Sequence, residues 1–159
     1  MALVPLYPYL EGENDVNNPY ETELQDRLRD HENAGDQREL TRLITWATSA
    51  VLKYTQAAVY PTDEDGTPSD PKQRAAMVDA IEAQCATVLS LGLVADVLSG
   101  GAGAEPTLTG TSDNGASLSF SDAHTQTARA WLRKGDLTTE AQMILDAAGL
   151  GPQHPWIRY

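Results

Sequence analysis

The residue types that do chemistry are few in this chain and lie far apart. The histidines fall on separate predicted elements, without metal-ligand spacing; they are His31, His124 and His154. Cys85 sits in an apolar helical pattern and is interpreted as a small buried hydrophobe, not a nucleophile. Gly101-x-Gly103 precedes Pro106 instead of a helix, so no phosphate-binding loop is indicated. We therefore predict no enzyme activity, no cofactor and no metal site.

One acidic loop has part of the composition of a calcium site. It contains Asp63, Asp65 and Gly66. An EF-hand register fixed on Gly66 would place Pro61 at the first ligand position and Lys72 at the bidentate one. Neither residue can serve there, so the loop is interpreted as a solvated acidic tip.

Composition excludes further classes of function. The chain has 159 residues, enough for one domain, and a formal net charge of −12. A protein that grips nucleic acid by its phosphates needs clustered Lys and Arg, so such a role is not expected. The single cysteine fits a reducing compartment. No apolar run reaches membrane-spanning length, and the proline-containing N-terminus lacks the basic region of a signal peptide.

The elements that would position any site are mainly helical. Apolar residues recurring with a period of 3.6, together with capping residues, predict five helices. Their predicted bounds are Asn18 to Gly35, Asp36 to about Ala57, Asp70 to Leu98, Ser121 to Gly135 and Thr138 to Gly149. Gly92 is interpreted as a bend or close contact within the third helix, and Gly149 with Leu150 as a Schellman end. Trp46, off the main stripe of the second helix, is either a core-edge residue or an interface anchor.

The stretch between the third and fourth helices cannot be helical. Glycines and Pro106 break it, and Asp113-Asn114-Gly115 is a strong signal for a tight turn between two strands. We predict a long β-hairpin at residues 100–120. Because a two-stranded hairpin is marginal alone in water, it either packs on something else, such as neighbouring subunits, or is a surface loop. The pattern favours neither.

Both ends of the chain are apolar segments punctuated by proline. Residues 1–18 form a predicted extended arm that lies on its own domain or crosses to a neighbour. The arm residues with candidate contacts are Leu3, Val4, Leu6, Tyr7 and Tyr9. Residues 151–159 form a second arm rich in the residue types that anchor interfaces. The predicted fold is thus mainly α: a helical bundle with a long protruding β-hairpin or loop and extended N- and C-terminal arms.

The basic residues leave a long gap. Between Arg74 and Arg129 there is no Lys or Arg, although the interval holds six acidic residues. The hairpin is therefore acidic or neutral throughout. This is either a composition effect in an acidic protein or the property of a surface that must not hold DNA as it passes.

The order of these parts resembles the head-to-tail connector (adaptor) family of long-tailed bacteriophages. The resemblance covers about Pro19 to Leu150. It rests on Ala47-Thr48-Ser49-Ala50-Val51-Leu52-Lys53-Tyr54-Thr55, on the Pro71–Leu98 helix, on Ser112-Asp113-Asn114-Gly115-Ala116-Ser117-Leu118-Ser119-Phe120, and on the Leu137–Leu150 end. The acidic loop and the long apolar N-terminal arm are less typical of the family.

The resemblance implies a structural protein of the virion neck, assembled in the host cytoplasm. It would form a homo-oligomeric ring, usually a dodecamer, between the portal and a stopper or other neck or tail protein. DNA would pass through without specific binding during packaging and ejection. Residues 19–150 would form the ring wall and residues 151–159 a docking tail. The portal-docking candidates are Trp156, Ile157, Arg158 and Tyr159, and the channel-facing candidates are Asp113, Asn114, Gly115 and Ser117.

Two alternatives belong to other classes. Another neck protein, such as a stopper or tail terminator, should be richer in strands than this chain. A soluble acidic regulator that binds a basic partner should cluster its acidic residues on one helix face, whereas here they mostly occupy loops and helix caps.

Overall fold

The computed structural model describes residues 18–99, 110–113, 116–119, 130–132 and 134–152. The fold is mainly α, as predicted. The helices are α1 (Glu21–Leu28), α2 (Gln37–Thr55), α3 (Pro71–Ser90), α4 (Val94–Leu98) and α5 (Thr139–Ala147). Residues 130–132 are also helical. None of the helices in these ranges combines the length and hydropathy needed to cross a membrane.

Helix α3 lies at the centre of the fold. It contacts α1, α2, α4 and α5, because apolar residues cover nearly its whole circumference. Its buried residues are Ala76, Met77, Val78, Ala80, Ile81, Ala83, Gln84, Cys85, Val88 and Leu89. The alanines among them let neighbouring helices approach closely. These residues place α3 in the core of the described fold.

Helix α2 packs on α3 through the predicted apolar stripe. The buried apolar members of that stripe are Leu40, Leu43, Ile44, Ala47, Ala50 and Val51. Tyr54 and Trp46 are partly buried and pack against the core. Trp46 therefore takes the core-edge position, and part of its ring stays accessible to a partner.

Several helix starts follow their predicted caps. The Asp70 carboxylate accepts from the backbone N–H of Lys72, and the Thr138 hydroxyl accepts from Ala141. Asn18 Oδ1 accepts from the Tyr20 N–H at 3.1 Å and so orders the turn before α1. Asp36 precedes α2 without a side-chain cap bond. Side-chain caps therefore form at two of these four starts, those of α3 and α5. The prediction that Asn18 caps the first helix is wrong, because the N-cap of α1 is Tyr20, which makes no side-chain cap bond.

Helix α1 is shorter than predicted. It ends at Leu28, and the chain continues through single turns closed by the hydrogen bonds from His31 N to Leu28 O and from Ala34 N to His31 O. Gly35, with φ of +63°, then leads the chain into α2. Gly35, the predicted end of the first helix, is therefore the end of the segment that connects α1 to α2.

The prediction that the third helix continues through Gly92 is wrong. α3 ends at Ser90. Gly92 has φ of +64° and donates to Leu89 O at 3.1 Å, while the N–H of Leu93 donates to Val88 O at 3.0 Å. These two bonds form a Schellman end, which requires a left-handed residue that glycine adopts without strain. The chain then turns into the short helix α4.

The predicted Schellman end of α5 is confirmed. Gly149 has φ of +74° and its N–H donates to Asp146 O at 3.0 Å. The N–H of Leu150 donates to Leu145 O at 2.9 Å, and both leucines are fully buried. The described chain thus stays fixed to the core as far as Leu150.

Two short strands lie within the predicted hairpin. β1 (Gly110–Asp113) pairs antiparallel with β2 (Ala116–Ser119), with Asp113 opposite Ala116 and Gly110 opposite Ser119. Asn114, Gly115 and the rest of the 100–120 stretch lie outside the described residues, as do both terminal arms. The hairpin itself, with its length and protrusion, remains a prediction.

We predict that Gly92→Ala lowers the free energy of unfolding by about 1–2 kcal/mol, because a Cβ strains the left-handed backbone. No heavy atom lies within 4 Å of the added Cβ, so strain alone should account for the loss. Gly92→Asn should cost less, since Asn tolerates this conformation. Urea denaturation measures both variants, and equal stability of wild type and Gly92→Ala would contradict the assignment.

Candidate functional site

A buried glutamine fixes the turn that follows the helical residues 130–132. Gln84, fully buried on α3, donates from Nε2 to Asp136 O at 3.1 Å and accepts at Oε1 from Thr138 N at 2.8 Å. Both bonds connect α3 to the backbone just before α5. A buried amide whose nitrogen and oxygen are both hydrogen-bonded stabilises the fold and also fixes the position of the backbone that it contacts.

This turn forms one wall of a groove. The groove lies between the C-terminal part of α2, the Gly135 turn and α5, and its volume is about 370 Å³. Its lining residues are Ala50, Lys53, Tyr54, Gln56, Ala57, Trp131, Gly135, Asp136, Leu137, Gln142 and Pro152. Small and apolar side chains supply most of the floor, and polar groups stand at the rim. Such a lining suits the docking of an apolar or aromatic group.

Two polar side chains at the groove are held by hydrogen bonds. Tyr54 Oη donates to Asp146 Oδ1 at 2.9 Å, and Lys53 Nζ donates to Lys134 O at 3.3 Å. Burial raises the pKa of the Tyr54 phenol above its ordinary value, and the hydrogen bond and negative charge of Asp146 raise it further. The phenol therefore stays protonated and acts as a donor, not as a base.

Two observations bear on metal binding and on thiol chemistry in the described part of the chain. No group of three or more His, Cys, Asp or Glu in the described residues could hold a metal ion. Burial raises the pKa of the Cys85 thiol to about 12, which leaves almost no thiolate at neutral pH. Cys85 is fully buried, as predicted.

A smaller hollow lies farther toward the N-terminal end of α2. It is lined by Thr41, Arg42, Thr45, Trp46, Val97 and Leu98, and its volume is about 330 Å³. The exposed edge of Trp46 therefore faces a shallow depression beside α4. Its rim carries a single charged side chain, Arg42.

One exposed arginine forms ion pairs with three carboxylates. Arg27 on α1 contacts Glu23 at 2.7 Å, Asp79 at 2.9 Å and Glu82 at 2.8 Å. Hydrogen bonds to Glu82 and then Asp79 raise the pKa of the guanidinium. The cluster ties α1 to α3 and carries a net negative charge, so Arg27 offers little attraction to a phosphate.

The structure does not place most of the predicted site residues. Both strands include candidates, Asp113 and Ser117, whose backbones lie in the pair β1–β2. The remaining candidates lie outside the described residues: Leu3, Val4, Leu6, Tyr7, Tyr9, Asn114, Gly115, Trp156, Ile157, Arg158 and Tyr159. Their roles stay predictions.

Sequence reasoning missed the residues that build the groove. Gln84 looks like one polar residue in an apolar helix, and its partner Asp136 is 52 positions away. Tyr54 and Asp146 are 92 positions apart. The one available signal was the polarity of Gln84 itself, because a buried amide must find partners.

Comparison of the chain with protein-family models, with curated proteins and with solved structures found no match.

We predict that Gln84→Leu lowers the free energy of unfolding by about 2–4 kcal/mol. The change leaves the Asp136 carbonyl and the Thr138 N–H unpaired, at about 1–3 kcal/mol each. Gln73→Leu is the matched control: its bond to Ala148 O is long at 3.5 Å and its buried Oε1 has no hydrogen-bond partner. The control should cost no more than about 0.5 kcal/mol. Equal losses in urea denaturation would contradict the role of Gln84.

We also predict a pH-dependent contribution from Tyr54. Because its folded pKa is raised, its contribution is fully present below the unfolded value near 10 and is lost as pH rises through the folded value. Tyr54→Phe should lower stability by about 0.5–1 kcal/mol at pH 8. The difference between wild type and variant should shrink as pH rises above about 10. A difference that stays constant over that range would contradict the assignment.

Proposed function

We propose that the chain is a structural subunit of the neck of a long-tailed bacteriophage. It would form a homo-oligomeric ring that joins the portal to the next neck or tail component and surrounds the path of the DNA. The observation that carries the proposal is the order of parts: helices packed around α3, then the basic-free interval with the strand pair, then α5 and an aromatic tail. This order resembles the head-to-tail connector family.

The fold supports a binding role in an assembly. Large apolar side chains remain exposed at Val59, at Met143, and to a smaller extent at Leu52 and Leu91. The groove adjoins the C-terminal part of α2, and the Trp46 hollow adjoins residues 41–46 of the same helix. A single subunit thus presents more than one surface able to accept a neighbour.

The charges support a role beside DNA without binding to it. The interval from Arg74 to Arg129 contains no basic residue, and Arg27, one of the few cations outside it, is surrounded by carboxylates. Nucleic acid binds where Lys and Arg neutralise phosphates. A hairpin with Asp113, Asn114, Gly115 and Ser117 near the channel would repel DNA or leave it free to slide.

The two arms supply the remaining contacts in this proposal. Residues 153–159 would dock on the portal through Trp156, Ile157, Arg158 and Tyr159. The N-terminal arm would lay its apolar residues on a neighbouring subunit. Aromatic residues and Arg are the types that most often dominate the energy of such interfaces.

We predict that deletion of residues 153–159 leaves the helical fold intact but abolishes attachment to a candidate portal. The fold should survive because the last buried anchor, Leu150, is retained. Circular dichroism measures the fold, and co-sedimentation measures attachment. Glu140→Gln, on an exposed position of α5 to which no contact is assigned, is the control and should attach normally. Full attachment of the truncated chain would refute this role of the tail.

A further inference from the structure

We propose that the groove beside α2 is the docking site for the chain's own C-terminal segment, residues 153–159, and that it takes the side chain of Trp156. The proposal concerns the purified chain alone, in which no portal competes for Trp156, and it does not depend on the connector function.

The first argument is the position at which the described chain ends. Pro152 is itself a lining residue of the groove, so residue 153 begins at its rim. Trp156 lies four residues after Pro152, and four extended residues span at most about 14 Å. The whole segment of seven residues reaches at most about 25 Å. The indole can therefore enter the groove without any rearrangement of the core.

The second argument is the fit between the groove and the segment. A volume of about 370 Å³ lies within the usual range of pockets that enclose small ligands, and it accommodates one large aromatic side chain. Trp131 in the wall offers an aromatic surface, and Ala50, Ala57 and Leu137 offer an apolar floor. Aromatic pairs prefer offset or edge-to-face contact, which an indole beside Trp131 can adopt.

The third argument is charge. Asp136 stands at the groove and the segment carries Arg158 two residues after Trp156. Lys53, the basic residue of the lining, is held toward Lys134 O. With Trp156 in the apolar pocket, Arg158 would lie near enough to pair with the Asp136 carboxylate at the edge of the groove.

The occupant is the segment of the same chain, not that of a second copy. A short link gives the attached segment an effective concentration in the millimolar range. A segment from another molecule must compete at the micromolar concentrations of a purified protein. Intramolecular docking is therefore favoured even if the contacts themselves are equal.

Disulfide trapping in the full chain tests the proposal. Gln56→Cys places a thiol on an exposed lining residue, and Ile157→Cys places its partner next to Trp156. The matched control pairs Ile157→Cys with Met143→Cys, an exposed residue of α5 that does not line the groove. Cys85 is buried and its thiol pKa is raised to about 12, so it should not compete for oxidation.

We expect the Gln56 pair to form a monomer-mass disulfide at least about tenfold faster than the Met143 pair, the ratio expected if docking concentrates the thiols about tenfold. Adding Trp156→Ser should remove that difference, because the anchoring side chain is lost. Equal rates for the two pairs would overturn the proposal. A predominantly dimer-mass product would also overturn it and would identify a second copy as the occupant.

Discussion

An apolar surface that surrounds a helix must be covered on every side, and α3 imposes this requirement on the rest of the chain. α1, α2, α4 and α5 all contact it. Alanine and valine on α3 allow close approach, while Gln84 is the one fully buried polar side chain of that helix. Its two hydrogen bonds hold the turn before α5, and that turn forms the wall of the groove. The packing that buries the apolar surface of α3 therefore also forms the groove.

Local features of the fold could be predicted from the sequence because their causes are local. Asp70 and Thr138 bond to backbone N–H groups two or three residues away, and Gly149 with Leu150 closes its own helix. Gly92 was misinterpreted although Gly92-Leu93 has the same pattern as Gly149-Leu150. The apolar residues on both sides of it gave the impression of one continuous helix, whereas the left-handed glycine ends α3.

The groove could not be predicted in the same way. It combines the end of α2 with the Gly135 turn and Pro152, which lie roughly 80 to 100 positions later in the chain. Trp131 is partly buried at the groove. Nothing in the sequence shows that Tyr54 meets Asp146, or that Gln84 meets Asp136. Contacts at such distances depend on how the helices pack, and helix patterns alone do not determine that packing.

The function we propose for this chain is that of a ring-forming adaptor of a phage neck, and its most direct test is the mass of the protein in solution with and without a candidate portal. Light scattering after size-exclusion chromatography provides that mass. The account predicts a large ring, or a monomer that assembles only on the portal. A monomer that does not bind the portal, and instead binds a small basic protein, would contradict the proposed adaptor function and would favour an acidic regulator.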